Sequence, residues 1–174
     1  MADMVDRESL LLFSTEPAAS LLSSIISGDS EANGGRPILV LSPDCSDVVG
    51  RAIARSGAEK VTVITVPEPT GDDDMDAFFL SYAHGEIRRS MGGSGNGRSG
   101  RHVVVADRID RGSSFVQRAF SEMASLASAG ESVVVAATAR DSRLVCDAVK
   151  REFMVLESPS IPEPAPAAKN HSRM

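Results

Sequence analysis

The sequence predicts an α/β protein built on a doubly wound, mainly parallel sheet of about five strands. Two observations carry this prediction. Short apolar runs, rich in valine and bounded by Gly or Pro, recur along the chain, and such runs are typical of strands buried on both faces. Between them lie segments with apolar residues at helical spacing. This alternation indicates parallel strands joined by right-handed crossovers.

The first half of the chain predicts four alternating elements, namely a helix over residues 16–26, a strand over 37–41, a helix over 46–56 and a strand over 60–66. Pro17 suits the first turn of the first helix, because the first N–H groups of a helix have no partner. Gly57 ends the second helix. The aspartates at 72–74 favour the start of a third helix reaching Ser90, because carboxylates stabilise a helix N-terminus.

The second half resumes the alternation after a flexible Gly/Ser linker, which is predicted over residues 92–100. Three strands are predicted over 102–107, 132–137 and 153–156, and two helices from Ser113 or Ser114 to Gly130 and from Ser142 to Arg151. The segment 158–174 is rich in Pro and Ala and predicts a disordered tail. The chain therefore divides into one domain, residues 1–157, and this tail.

Composition excludes several function classes. The formal charge of −6 argues against a protein that coats nucleic-acid phosphates. Cys45 and Cys146 have no Cys or His at ligand spacing, which excludes a disulfide scaffold and a structural zinc site. No apolar run approaches the ~18 residues of a membrane span, and the acidic N-terminus has no signal-peptide pattern. We therefore expect a cytoplasmic or nuclear protein without membrane contact.

Ligands of doubly wound sheets bind beyond the carboxyl ends of the strands, which directs attention to residues 42–46, 66–68, 107–110 and 138–141. Asp107 at a strand end either faces this crevice or caps a helix or pairs with Arg108 or Arg111. Arg140 either belongs to the crevice or forms a surface pair with Asp141. No catalytic residue is assigned, because Cys45 has no His near it in sequence.

Several segments between residues 16 and 157 share the layout of a known family. They are Pro17-Ala18-Ala19, Ile38–Leu41, Gly57-Ala58 before Val61-Thr62-Val63, Val103–Asp107, Gly130 before Val133–Ala136, Arg140 and Phe153-Met154-Val155. This layout resembles the seven-strand (class I) S-adenosylmethionine-dependent methyltransferases, and the second half resembles their protein-lysine branch. The resemblance implies a Rossmann-like methyltransferase fold, S-adenosylmethionine as the cofactor and a protein lysine as the substrate.

The resemblance also implies site residues, which are Ser42, Asp44, Ser46, Glu68 and Asp107 toward the cofactor and Asp110 and Arg140 in the substrate crevice. Several of the family's contacts are missing. The turn at 42–46 has no glycine to let the backbone approach the cofactor, and Asp44 would repel the cofactor's own carboxylate. Glu68 lies beyond the position of the ribose-binding carboxylate, and the linker replaces the adenine loop.

Two functions are weighed on this basis. The first is a methyltransferase-like pseudoenzyme without a cofactor, which binds another protein or assembles with it. The second is an active, divergent protein-lysine methyltransferase. The missing contacts favour the first, and we expect S-adenosylmethionine to bind weakly or not at all, since each lost charged hydrogen bond costs roughly 1.5–3 kcal/mol. A third alternative is another doubly wound domain that binds a nucleotide or nothing.

The expected sheet order is second, first, third and fourth strand, with the fifth beside or beyond the fourth. The expected core is Ile38, Leu39, Leu41, Val61, Val63, Val103, Val105, Val133, Val135 and Val155. The strand at 60–66 then has an open edge, which invites pairing with another chain. We expect this edge, or the apolar face of the first helix, to dock onto another protein.

Overall fold

A computed structural model of the chain describes residues 7–71, 73–92, 102–129 and 133–158. Its strands are β1 (Ile38–Leu41), β2 (Lys60–Thr65), β3 (His102–Asp107), β4 (Val133–Ala139) and β5 (Met154–Glu157). They form one sheet in the order β2-β3-β4-β1-β5, and every neighbouring pair is parallel. The predicted α/β, doubly wound, parallel fold class is therefore confirmed.

Helices cover both faces of this sheet. They are α1 (Arg7–Ser27), α2 (Cys45–Ser56), α3 (Asp73–Gly92), α4 (Ser114–Ser128) and α5 (Asp147–Glu152). One apolar cluster joins α1 and α2 to one face, and a second joins α3, α4 and α5 to the other. Within the described ranges, every helix lacks the length or the hydropathy that a bilayer span requires. Residues 93–100 of the predicted linker and 159–174 of the predicted tail lie outside the described residues.

The predicted strand order is wrong at β1. This strand lies between β4 and β5, where Ile38 pairs with Ala136 on one side and with Met154 on the other, whereas the prediction placed it beside the second and third strands. Continuous apolar runs show that a strand is buried on both faces, but they are interchangeable in composition. The runs therefore do not specify which strand lies beside which.

The core alternates between the two faces of the sheet, as the two-residue period of a strand requires. Leu39, Val104 and Val135 pack under α3, α4 and α5, while Ile38 and Val103 pack under α1 and α2. Two predicted core residues are instead exposed: Val63 by 58% and Val155 by 39%. Leu41 and Val61 are only half-buried. The two exposed residues lie on β2 and β5, and each of these strands has a neighbouring strand on one side only within the described ranges.

Two helix predictions also need correction. The first helix begins at Arg7, so Pro17 lies inside it and not in its first turn. The helix predicted over 142–151 is divided into a 3-10 turn at Ser142–Leu144 and α5. The buried amide of Gln117 explains this division, because it donates to Leu144 O at 2.8 Å and accepts from Cys146 N at 2.7 Å. It thus satisfies backbone groups that a continuous helix would have paired.

The loop before β1 is fastened to the entry of β5 by Arg36. Its guanidinium donates to the carbonyl oxygens of Arg151, Glu152 and Phe153 at 2.9, 3.2 and 2.8 Å. These carbonyls lie at the carboxyl end of α5, where a cation is favoured by the helix dipole. The same region is closed by a backbone bond from Met154 N to Pro37 O at 2.8 Å.

A buried polar cluster lies where β2, β3 and α3 meet. A hydrogen bond of 2.9 Å joins His102 Nε2 to Thr62 Oγ1, and the other ring nitrogen contacts Ser90 Oγ. Thr62 also donates to Glu86 at 3.2 Å. Burial, helped by the charge of Lys60, holds the pKa of His102 below its ordinary value against the attraction of Glu86. His102 is therefore a buried imidazole that the fold favours in its neutral form.

We expect Phe120→Ala to lower the free energy of unfolding by about 3–5 kcal/mol. The Phe120 ring is fully buried on α4 between Phe79 and Phe153, with centroids 6.1 and 6.3 Å away, so its removal leaves a cavity in the larger cluster. Urea denaturation measures the change. The control Phe115→Ala, on the same helix at a ring that is 64% exposed, should change stability by about 0.5 kcal/mol or less. Equal losses would contradict this assignment of the core.

We expect stability to fall with acidity through His102. Its pKa is lower in the fold than the value of about 6.5 in the unfolded chain, so its contribution is complete above about pH 6.5 and is lost as the pH falls toward the folded pKa. Between about pH 7 and pH 5 the wild type should therefore lose stability more steeply than His102→Gln. The control His84→Gln, at an exposed position on α3, should keep the wild-type slope. Parallel slopes for wild type and His102→Gln would refute the prediction.

Candidate functional site

The carboxyl ends of β3, β4 and β1 meet at one edge of the sheet. Asp107 is the last residue of β3, and Thr138 lies near the end of the adjacent β4. The turn after β1 joins them, because Ser42 N donates to Ala139 O at 3.0 Å. The structure thus brings together three of the segments that the sequence selects, at 42–46, 107–110 and 138–141.

Asp107 is bound to the neighbouring strand through Thr138. The Thr138 hydroxyl donates to Asp107 Oδ1 at 2.9 Å and accepts the N–H of Arg108 at 2.8 Å. Arg108 has a φ of 65°, which is uncommon for a residue with a side chain. The hydrogen bond to Thr138 supports this left-handed conformation, so one buried hydroxyl holds both the carboxylate and the turn that follows it.

Asp110 is the most enclosed carboxylate at this edge, with a side chain that is 1% exposed. It accepts two bonds from the Arg108 guanidinium, at 3.0 and 3.2 Å, and one from each N–H of Arg140 and Asp141, both at 3.1 Å. Burial alone would raise the pKa of Asp110, but these four donors outweigh it and keep the pKa below its ordinary value. Asp110 is therefore a charged group that joins the turn after β3 to the turn after β4.

The turn between β1 and α2 is short and bonded to itself. Only Ser42, Pro43 and Asp44 separate the two elements. The Ser42 hydroxyl accepts the N–H of Asp44 at 3.1 Å, and its carbonyl accepts the N–H of Cys45 at 3.2 Å. Ser46 is exposed on the first turn of α2. The N–H of Asp44, which caps the helix, and the N–H of Cys45, its first residue, are therefore both directed back to Ser42.

The remaining predicted site residues contribute little to this edge. Glu68 is exposed and lies 3.9 Å from Arg111. Arg140 is exposed and contributes its backbone N–H, while Asp141 pairs with Arg143 at 2.9 Å. The ion pairs that the described residues form at this edge join Arg108 to Asp110, Arg111 to Glu68 and Arg143 to Asp141, and the charge of Asp107 also acts on the Arg108 guanidinium. Across the part of the chain that the structure describes, no three metal-ligating side chains cluster.

Two features of this edge escaped the sequence analysis. The first is Arg108 as the partner of Asp110, and the second is the central position of the Thr138 hydroxyl. The available signals were an Arg two residues before an Asp just after a strand, and one threonine inside the apolar run of β4. Both signals are weak, because surface ion pairs and strand threonines with no further role are common.

Two solved structures have folds similar to that of this chain. The chain matches a DNA polymerase III gamma subunit-related protein from Thermotoga maritima at a TM-score of 0.50 and 16% identity, over 83% of this chain and 46% of that one. It matches PCH-2 from C. elegans at 0.54 and 11% identity, over 90% of this chain and 44% of that one. The chain thus spans less than half of either protein. No protein-family model and no curated protein matches it.

These likenesses in fold are to proteins other than methyltransferases, and they correct the methyltransferase resemblance. The methyltransferase-like function, with its active alternative, is therefore wrong, and S-adenosylmethionine loses its basis as a ligand. The resemblance depended on apolar strands and a few residues at strand ends, which many doubly wound sheets share. The roles predicted for Ser42, Asp44, Ser46, Glu68, Asp107, Asp110 and Arg140 depended on that family.

We expect Asp110→Asn to lower the free energy of unfolding by about 3–5 kcal/mol at neutral pH, because it leaves the largely buried Arg108 guanidinium without its counter-ion. The lowered pKa of Asp110 means that its contribution is complete above about pH 4 and is lost as the pH falls further. The difference between wild type and variant should therefore shrink in acid. Chemical denaturation at a series of pH values measures it.

The matched control for this change is Asp141→Asn on the same edge. Asp141 pairs with an Arg143 side chain that is 87% exposed, so its loss should cost about 1 kcal/mol or less. If the two variants were equally stable, the assignment of Asp110 as a buried joint between the turns would be wrong.

Proposed function

We propose that this chain is a P-loop/AAA-type domain that does not hydrolyse nucleotide and that acts as a protein-binding subunit of an assembly. The observation that carries the proposal is the turn after β1. A P-loop needs a glycine-rich segment, G-x-x-x-x-G-K-[ST], whose backbone N–H groups and lysine hold the phosphates. Here three residues without glycine or lysine make the connection.

The bonding inside this turn supports the same conclusion. The N–H groups of Asp44 and Cys45 are directed to Ser42, whereas a phosphate site needs such donors free at the helix N-terminus. The Asp44 carboxylate would also lie beside an incoming phosphate, and like charges at short range are repulsive. A triphosphate at this turn would thus lack N–H donors for its phosphates and would be repelled by the Asp44 carboxylate.

The carboxylates at the neighbouring strand ends have structural partners. Asp107 accepts from Thr138, and Asp110 is surrounded by four donors. In P-loop NTPases an acidic residue of this region holds Mg²⁺ beside the phosphates. We infer that here the two carboxylates instead rigidify the edge, since each ties one strand end to the next.

An assembly role is supported by the outer surface. Phe78, Phe115 and Leu126 on α3 and α4 are large, apolar and well exposed. Phe78 also stacks on the exposed ring of Tyr82, with the ring centroids 6.4 Å apart, and exposed apolar groups of this kind are typical of protein interfaces. The Thermotoga maritima protein is described as related to the gamma subunit of DNA polymerase III, and a subunit belongs to an assembly. The partner that we propose is accordingly a protein.

We also propose an intracellular location, in the cytoplasm or the nucleus. Cys45 is buried and Cys146 half-buried, and both thiols are free. Unpaired thiols of this kind are usual in reducing compartments. The acidic composition, with a formal charge of −6, agrees with a protein whose surface does not track nucleic acid.

We expect the full chain neither to bind ATP with Mg²⁺ at micromolar concentrations nor to release phosphate from it above background. Each missing charged hydrogen bond to the phosphates weakens binding by roughly tenfold or more. Isothermal titration calorimetry and a phosphate-release assay measure the two quantities.

Variants at the edge decide what a positive signal would mean. Micromolar binding that disappears in Asp107→Asn and persists in Asp141→Asn would place ATP in the crevice and overturn the proposal. Micromolar binding that both variants keep would place ATP away from Asp107 and would equally contradict the expected absence of ATP binding.

A further inference from the structure

The outer side of α3 carries an apolar stripe at helical spacing. Met75, Phe78 and Tyr82 follow one another at intervals of three and four residues, which places them on one side of the helix. All three are exposed, Phe78 by 70%, and the rings of Phe78 and Tyr82 stack at 6.4 Å. Arg89 lies on the same side of the helix, seven residues after Tyr82.

This side of α3 faces away from α4. Phe79 and Ala83 point into the core, and Leu80, His84 and Arg88 line the groove shared with α4. Thr62 of β2 donates to Glu86 on α3, so α3 lies over the end strand of the sheet. Among the described residues, β2 pairs with β3 only. The stripe therefore lies at the open edge of the domain.

One residue of the stripe has no explanation within a single copy. Gly85 lies in the middle of α3, where glycine costs roughly 0.5–1 kcal/mol relative to alanine. A Cβ at this position would meet only the end of Arg89, at an ordinary 3.7 Å. The fold of one chain thus has room for a side chain at position 85. A close approach by another chain would account for the glycine at this position.

We propose that α3 pairs with α3 of a second copy in an antiparallel, two-fold arrangement. This inference deepens the proposed function, on whose assembly role it rests, by naming the partner. A two-fold axis that places Asp74 opposite Arg89 of the other copy also places Phe78 opposite Gly85 of the other copy. This follows because Phe78 lies four residues after Asp74, and Gly85 lies four residues before Arg89. Opposite charges then meet twice, and each Phe78 ring packs where its neighbour has no side chain.

The charges favour a second copy over an unrelated partner. Asp74 lies in the acidic first turn of α3 and Arg89 in its last turn. The helix is therefore complementary to itself only when reversed. Arg89 also contacts Glu86 of its own helix at 2.9 Å, and a guanidinium has five N–H donors, enough for both carboxylates.

Sedimentation equilibrium of the full chain, from micromolar to submillimolar concentrations, tests the proposal. We expect a wild-type dimer. Asp74→Arg and Arg89→Glu should each weaken self-association by about tenfold, since each reverses two surface pairs per dimer. An equimolar mixture of the two variants should recover the wild-type affinity. In the mixed dimer the new arginine at position 74 faces the new glutamate at position 89, and the unchanged Arg89 faces the unchanged Asp74. The controls Asp73→Arg and Arg88→Glu make the same changes on the α4 side of the helix and should leave association unchanged.

Substitution of Gly85 separates pairing from folding. Gly85→Ala should raise thermal stability at low concentration, where the chain is monomeric, because alanine favours the helix. Gly85→Leu should abolish the dimer while the circular dichroism spectrum stays that of the wild type. A monomeric wild type, or a dimer that these variants and the charge exchange leave unchanged, would overturn the inference. Such results would not affect the proposed absence of ATP hydrolysis. Conversely, ATP hydrolysis by a dimer whose affinity changes as expected in these variants would overturn only the non-hydrolysing part of the proposed function.

Discussion

The position of β1 between β4 and β5 determines where the other elements lie. From β2 the chain moves across the sheet in one direction, through β3 and β4 and past β1 to β5. Only the step from β1 to β2 runs in the opposite direction. Since parallel crossovers are right-handed, a reversal of direction places the connecting helix on the opposite face. This is why α2 lies alone among the crossover helices on its face, and why α1 is needed to cover the remainder.

The strands and most helices could be predicted because each has a local signal. The run Val103–Ala106 is apolar throughout since β3 is buried on both faces, and Gly57 adopts a φ of 67° where α2 ends. The strand order could not be predicted, because it depends on pairings between distant segments that leave no trace in local pattern. The exposure of Val63 and Val155 is a separate error, because their strands were already expected toward the ends of the sheet, where the burial of a valine depends on which neighbours cover it.

The position of the candidate site follows from the rule that ligands of doubly wound sheets bind at the carboxyl ends of the strands. The cofactor assigned to it came from the family resemblance, which was wrong. Polar residues at strand ends, such as Asp107 and Asp110, were found because such positions carry ligands in doubly wound sheets. Their partners could not be found, since Thr138 and Arg108 reach them only once β3 and β4 are adjacent. In the structure the polar groups at this edge bond to one another, as Thr138 does to Asp107 and four donors do to Asp110.

The same central strand has a consequence for how the chain folds. Both neighbours of β1 lie far along the sequence, since Ile38 pairs with Ala136 and Met154. Contacts so distant in sequence are costly in loop-closure entropy and slow folding. During synthesis β1 emerges early and stays without either neighbour until nearly the whole domain has left the ribosome, while β2 and β3 can already pair. The nascent chain therefore exposes an apolar strand for most of its elongation, and chaperones or aggregation act on such segments.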